Sequence, residues 1–136
     1  RCKAVASLQE QLRQFAERAG QRAETVTRAA CLQMANGMVM RSPVDTGRFR
    51  GAWVYGAGAK SAEQPQTLDK EGGASLTRIA AGLQAWQEGQ AIYITNNLPY
   101  GPRLEHGWSK QAPAGFVRIT VSEFAQHVAE AIRSAK

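Results

Sequence analysis

The sequence predicts an α+β fold: a long N-terminal helix, a small antiparallel β-sheet with a long hairpin-like loop, a short middle helix and a C-terminal amphipathic helix. Three observations carry this expectation. Apolar residues recur at helical spacing from Val5 to Met40 and again from Phe116 to Ile132. Two short runs, Arg48–Tyr55 and Ala91–Thr95, are rich in the aromatic and β-branched residues that favour strands. A stretch without apolar period, residues 56–74, lies after the first of them. A chain of 136 residues has room for one domain, residues 1–136, and a single modest core.

In the first segment Val5, Leu8, Leu12, Phe15 and Ala19 follow a 3-4-3-4 spacing, which Val26, Ala30, Met34 and Met38 resume. Gly20 costs a helix roughly 1 kcal/mol relative to alanine and is expected to bend it. Arg13, Glu17, Arg18, Arg22 and Glu24 hold the other faces. A small domain cannot bury about 50 Å of helix against itself, so part of the stripe is expected to pack on another subunit. Pro43 disfavours helical geometry at Ser42 and ends the helix by Met40 or Arg41. Val44-Asp45-Thr46-Gly47 reads as a turn, with Asp45 accepting backbone N–H bonds or pairing with Arg48 and Gly47 at positive φ.

From Arg48 to Tyr55 the alternation places Phe49, Trp53 and Tyr55 on one face of a strand and Arg48, Arg50 and Val54 on the other. Residues 56–74 predict a mobile loop, the tip of a long hairpin. Ser75 is expected to cap a short helix bearing Leu76, Ile79, Ala80 and Leu83, ended by Gly89. Ala91–Thr95 is the second strand. Asn96-Asn97-Leu98-Pro99 turns the chain into one or two helical turns from Tyr100 to His106. Ser109–Gly115 is a loop, and Phe116, Val117, Val121, Phe124, Val128 and Ile132 predict one amphipathic helix from Phe116 to Ser134.

The net charge is +6 and the isoelectric point about 9.8. Residues 1–50 hold nine Arg or Lys against four acids, 51–100 three against four, and the remainder five against three. The excess therefore sits in the first helix and the turn after it. Basic balance alone suits nucleic acid or acidic protein surfaces, yet a dedicated nucleic-acid binder usually carries denser basic runs with aromatics between them. No apolar run approaches the roughly 18–20 residues that span a bilayer, no signal peptide is visible, and no membrane partner is expected.

Chemistry is thinly represented. Cys2 and Cys31 on one helix would stand some 40 Å apart, too far for a disulfide. Neither cysteine belongs to a CxxC pair, and His106 and His127 complete no metal spacing. Gly56-Ala57-Gly58 lacks the GxGxxG spacing of a dinucleotide loop. Asp45 and Glu105 are the two carboxylates in motif-like surroundings, and both read better as caps or ion-pair partners than as an acid–base pair. No catalytic residue, metal or cofactor is expected. Arg48 and Arg50 have two readings. They are ion-pair and solvated residues, or contacts to a partner protein or DNA, since a guanidinium forks equally well onto carboxylate and phosphate.

Two segments carry a resemblance: RSPVDTGRFRGAW, residues 41–53, and ITNNLPYGPRLEHGWSKQAPAGFVRITVSEF, residues 94–124. Pro43, Val44, Asp45, Thr46, Gly47, Arg50 and Trp53 form the first element. Asn97, Pro99, Tyr100, Glu105 and Gly107 form the second, and Gly115, Phe116, Val117 and Arg118 the third. In order and spacing these resemble the tail-completion or neck proteins of long-tailed bacteriophages, also described as minor tail or head–tail joining proteins. Gly101 stands where that family usually has alanine, and His106 where an aromatic or apolar residue is commoner.

The resemblance implies a structural role without catalysis. The protein would be made in the bacterial host cytoplasm and sit in the virion tail or neck. It would assemble as a homo-oligomeric ring between tail-tube and head-connector proteins, with weak contact to packaged DNA. The competing expectation is a basic nucleic-acid-binding module, and a host enzyme or toxin carried beside a prophage is a third. Within the family reading, Tyr100 is expected beneath the final helix, fixing the 97–107 loop.

Overall fold

The computed structural model describes residues 2–134. Helix α1 spans Cys2–Arg41, and a single 3-10 turn, Arg50–Ala52, leads into strand β1, Trp53–Ala57. Helix α2, Gly73–Ala85, precedes strand β2, Ile92–Asn96. Three further helices follow: α3, Gly101–Glu105, α4, Val117–Ser122, and α5, Phe124–Ser134. The architecture is α+β, with a two-stranded antiparallel sheet.

Helix α1 runs unbroken through Gly20. Its C-terminal half builds the domain: Ala30, Ala35, Met38 and Val39 are buried, packed by α2, α4 and α5. Its N-terminal half carries a different face to solvent. Leu8 is 58% and Leu12 61% exposed, and Ala19 is exposed as well. The burial of Val5 and Phe15 and the position of the Cys2 side chain lie outside the described residues. Arg13 bridges Glu10 and Glu17 along this stem, a solvated helical pairing of small energetic weight.

The helix ends at Arg41 before Pro43, as the proline requires. The strand then begins later than its alternation predicts. Residues 48–52 form a turn and the 3-10 segment, because Gly51 lies so close to the loop that an added Cβ would stand 2.2 Å from the Thr67 carbonyl oxygen. The strands pair with Trp53 opposite Asn96, Tyr55 opposite Ile94 and Ala57 opposite Ile92. Helix α2 lies across the sheet at close range. A Cβ on Gly82 would sit 2.2 Å from the Tyr55 ring, so only glycine permits this approach.

The connection between the strands contains α2 as well as the loop, so residues 56–74 are not a hairpin tip. The loop is strapped to its surroundings through its backbone. Its Pro65 carbonyl accepts from Arg48 Nη1 at 2.6 Å, and its Ser61 and Glu63 carbonyls accept from Asn97 Nδ2 at 2.7 and 2.9 Å. Asp69 then caps α2: its carboxylate accepts from the backbone N–H groups of Gly72, Ala74 and Ser75. Ser75 is not the cap. Its hydroxyl is buried and donates to the Arg50 carbonyl at 2.7 Å.

The expected C-terminal helix is two helices. The first stops at Glu123 (φ −95°, ψ 11°), and α5 packs back along α1. At the junction Thr120 is fully buried. Its hydroxyl donates to the Phe116 carbonyl and accepts from Arg41 Nη1 at 3.0 Å, while Arg41 Nη2 also pairs with Glu123 at 2.5 Å. The core gathers Val39, Phe49, Trp53, Ile79, Leu98 and Phe116 between α1, the sheet and α2.

Candidate functional site

The three resembling segments meet at the base of α1. Ser42 follows the last helical turn and is 1% exposed. Its hydroxyl donates to the Met38 carbonyl at 2.7 Å and accepts from Trp53 Nε1 at 2.9 Å. Phe49 lies beside that indole with ring centroids 6.0 Å apart. It touches Phe116 at 5.3 Å and Tyr100 at 5.8 Å, and Phe116 closes the cluster on Trp53. One residue from each later segment thus stands on the aromatics of the first. Edge-on ring pairs of this kind add about 0.5–1.5 kcal/mol each beyond simple burial.

Gly47 takes φ +89°, and its carbonyl accepts from Gly51 N at 2.9 Å and Asp69 N at 3.0 Å. A Cβ here would lie 2.6 Å from Asp69 N. The turn is therefore fixed by glycine and by the strap, with Thr46 Oγ1 accepting a long bond from Arg48 N at 3.3 Å. Asp45 takes no part. Among the described residues it makes no hydrogen bond or ion pair, it is exposed, and Arg48 turns to Pro65 instead. The expected Asp45–Arg48 pairing and Asp45 backbone cap are absent. Asp69 performs the capping that the turn carboxylate does not.

Arg50 closes the C-terminus of α1. Its Nη2 donates to the carbonyls of Met40 at 2.8 Å and Ser42 at 2.9 Å, and its Nη1 to Lys70 at 2.7 Å. The Met40 carbonyl, in the last turn of α1, has no helical partner, and a cation suits the negative end of the helix dipole. Other arginines repeat the device. Arg28 donates to Leu83 and Trp86 carbonyls at the end of α2 and lies over the Trp86 ring. Arg78 donates to the Trp53 carbonyl at 2.6 Å. Much of the cationic excess thus holds backbone in place.

The second segment is fixed by amides and one carboxylate. Asn96 Nδ2 donates to the Phe49 carbonyl at 2.8 Å, and Asn97 grips the strap. Leu98 is buried and Pro99 exposed in the turn that follows. Glu105 reaches the start of α4: Oε2 accepts from Phe116 N and Val117 N at 3.0 and 2.9 Å, and Oε1 from Arg118 N at 2.9 Å and Arg118 Nε at 3.0 Å. Burial alone would raise its pKa, but the three backbone N–H groups and the guanidinium outweigh it and hold the carboxyl below its usual value. Gly107 takes φ +89° where α3 gives way to the 108–115 loop.

Tyr100 is not beneath the final helix. It is 41% exposed and leans on Phe49 at the rim of a cleft of about 410 Å³, lined by Pro43, Val44, Asp45, Thr46, Leu104 and Trp108 among others. Phe116 holds the buried place expected for it. Trp108 is 75% exposed, with the Arg103 guanidinium 5.7 Å over its ring. Gln111 closes one end of the cleft by bonding Val44 N and O, both at 2.8 Å.

A wider groove of about 610 Å³ lies between α1, α2 and α5, bordered by Gln33, Asn36, Gly37, Thr77 and His127. Both ring nitrogens of His127 and the Gln33 side-chain oxygen are shut from water without a hydrogen-bond partner. His106 is exposed. Cys31 is a free thiol whose pKa burial pushes up, which disfavours the thiolate a nucleophile needs. Among the described residues no three His, Cys, Asp or Glu side chains are placed to hold a metal ion, and no helix is long and apolar enough to cross a membrane.

Sequence reasoning missed Ser42, Asp69, Asn96 and Gln111 as working parts of this joint. Asp69 had a local signal, an acid three residues before Gly72 at the helix start. The others act on backbone groups distant in sequence and had none. Compared with known proteins, the chain matches no family model, no curated protein and no solved structure.

Proposed function

We propose that this protein is a non-enzymatic structural component of a long-tailed phage or prophage. It completes the tail or neck and joins tail to head during virion assembly, acting as a homo-oligomeric ring in contact with tail-tube and head-connector proteins. The reading rests on the resemblance of residues 41–53, 94–107 and 115–118 to that family. The observation that best supports it is the meeting of those three segments at one joint. There Ser42, Gly47, Trp53, Asn97, Glu105 and Phe116 hold backbone and rings together, and the cleft beside them presents aromatic side chains outward. A rigid joint with exposed aromatics suits a docking part, since Trp and Tyr are over-represented among interface hot spots.

The competing reading, a nucleic-acid-binding module, draws on the isoelectric point of about 9.8. Arg48 and Arg50 lend it little, because both guanidiniums already donate to backbone carbonyls. A salt titration of duplex DNA binding separates the two: a dedicated binder shows tight association that falls steeply with salt. The joining role is tested by electron microscopy of particles assembled without the protein. Separate heads and unfinished tails support it, and intact infectious particles refute it.

A further inference from the structure

Helix α5 leaves part of its apolar face uncovered. Phe124, Val128 and Ile132 follow one another at four-residue steps on α5, with Val128 half-buried, and Val121 stands three residues before Phe124 at the end of α4, across the break at Glu123. Val121 is 52%, Phe124 53% and Ile132 43% exposed. The side facing α1 instead carries Ala131, His127 and Glu123, with Ala131 fully buried and Glu123 paired to Arg41. An amphipathic helix in a finished domain buries its apolar face. This one leaves Phe124 and Ile132 outward.

A second unpartnered stripe lies on the N-terminal stem. Leu8 and Leu12 are one helical turn apart and are among the most exposed large apolar residues of the chain. Ala30 is the most N-terminal buried apolar residue of α1 among those described, and Leu12 stands about 27 Å from it along the helix. Helix α1 continues unbroken through Gly20 into the stem.

We propose that the stem of one copy docks, through Leu8 and Leu12, on the Val121–Phe124–Ile132 stripe of a second copy. The inference deepens the assembly reading above and rests on its self-association. The occupant follows from the geometry of the two stripes. Pairing stem with stem leaves the α5 stripe in water, and pairing α5 with α5 leaves the stem in water. Head-to-tail contact covers both with one kind of interface, which is heterologous and closes into a ring where the rotation permits. The five side chains expose roughly 500 Å² together, an apolar centre of suitable size for an interface of about 1,600 Å² in total.

The test uses the full chain with Cys2→Ala and Cys31→Ala, carrying Leu12→Cys or Phe124→Cys. Oxidation should give a disulfide dimer in the mixture of the two variants and in neither alone. The chain carrying both should give a ladder of multiples. A homodimer of either single variant, a disulfide within one chain, or monomer in every sample overturns the proposal. Because cysteine substitution can disturb folding, a second variant, Leu8→Ser with Leu12→Ser in the otherwise unaltered chain, is followed by sedimentation and thermal melting. It should lose self-association and melt like the wild type diluted to monomer, and self-association equal to wild type overturns the proposal. The joining role fails separately: infectious particles without the protein refute that role while leaving the ladder intact. A missing ladder beside unjoined heads and tails refutes the docking alone.

Discussion

The Trp53 indole N–H donates to the Ser42 hydroxyl across 2.9 Å, and that hydroxyl donates to the Met38 carbonyl 2.7 Å away. Strand β1 is thereby tied to the last turn of α1 through two buried residues. Ser42→Ala should cost about 1–3 kcal/mol, because it leaves the indole donor without a partner in an apolar setting. Trp53→Phe in the Ser42→Ala background should cost less than in the wild type, since no donor remains to strand. Urea unfolding followed by circular dichroism of the four chains measures the coupling, and strict additivity would disprove it.

Gly47→Val should lower the melting temperature markedly, with a cost of at least about 2 kcal/mol. The residue must leave φ +89° or endure a strained backbone, and the new side chain meets the strap at Asp69. Faster amide exchange at Asp69, whose N–H donates to the Gly47 carbonyl, should accompany the loss. A melt equal to wild type would remove the turn from the account.

Asp69→Ala should destabilise the domain by about 1–2 kcal/mol, the usual scale of a lost helix N-cap. Its signature is local: hydrogen exchange should rise at Gly72, Ala74 and Ser75, whose N–H groups the carboxylate accepts. Asp45→Ala, by contrast, should leave stability within about 0.5 kcal/mol, as an exposed unpartnered side chain should.

Glu105 predicts an acid-side loss of stability. Its carboxyl is held below the usual value in the folded chain, so its contribution is complete above the unfolded carboxylate pKa of about 4.3 and declines as pH falls through the lower folded value. Glu105→Gln should reduce stability at neutral pH and flatten that part of the profile below about pH 4. Denaturant midpoints from pH 7 to pH 3 for both chains provide the check.

Arg50→Lys should cost about 2 kcal/mol despite the retained charge. An ammonium cannot span the Met40, Ser42 and Lys70 carbonyls from one planar fork, and hydrogen bonds to charged groups are worth about 1.5–3 kcal/mol. Chemical unfolding reads the loss, and equal stability of the two chains would show that only the charge matters.

The parts of the fold that the sequence disclosed were those set by neighbours along the chain. Pro43 ended α1, Gly47 required a turn, and β-branched residues marked β2. Contacts between distant segments were hidden. The helical period runs without interruption from Phe116 to Ile132, so nothing local marked the stop at Glu123, which Arg41 and Thr120 help to hold. Residues 48–52 alternate like a strand, but the strap pressing on Gly51 imposes a 3-10 turn. Arginine partners escaped notice for a related reason: a backbone carbonyl leaves no mark in the sequence. The three segments stood out in the sequence by their motifs, but their meeting at one joint is visible only in the structure.

The unbroken passage of α1 through Gly20 makes the stem a lever. Its base is clamped by α2, α4 and α5, and Leu8 lies some 30 Å along the helix from Ala30. At that arm length a tilt of about 10° at the base carries the tip about 5 Å, roughly one helical turn. A small tilt where α1 meets Thr120 is therefore magnified at Leu8, and a neighbour gripping the tip gains the same mechanical advantage over the joint.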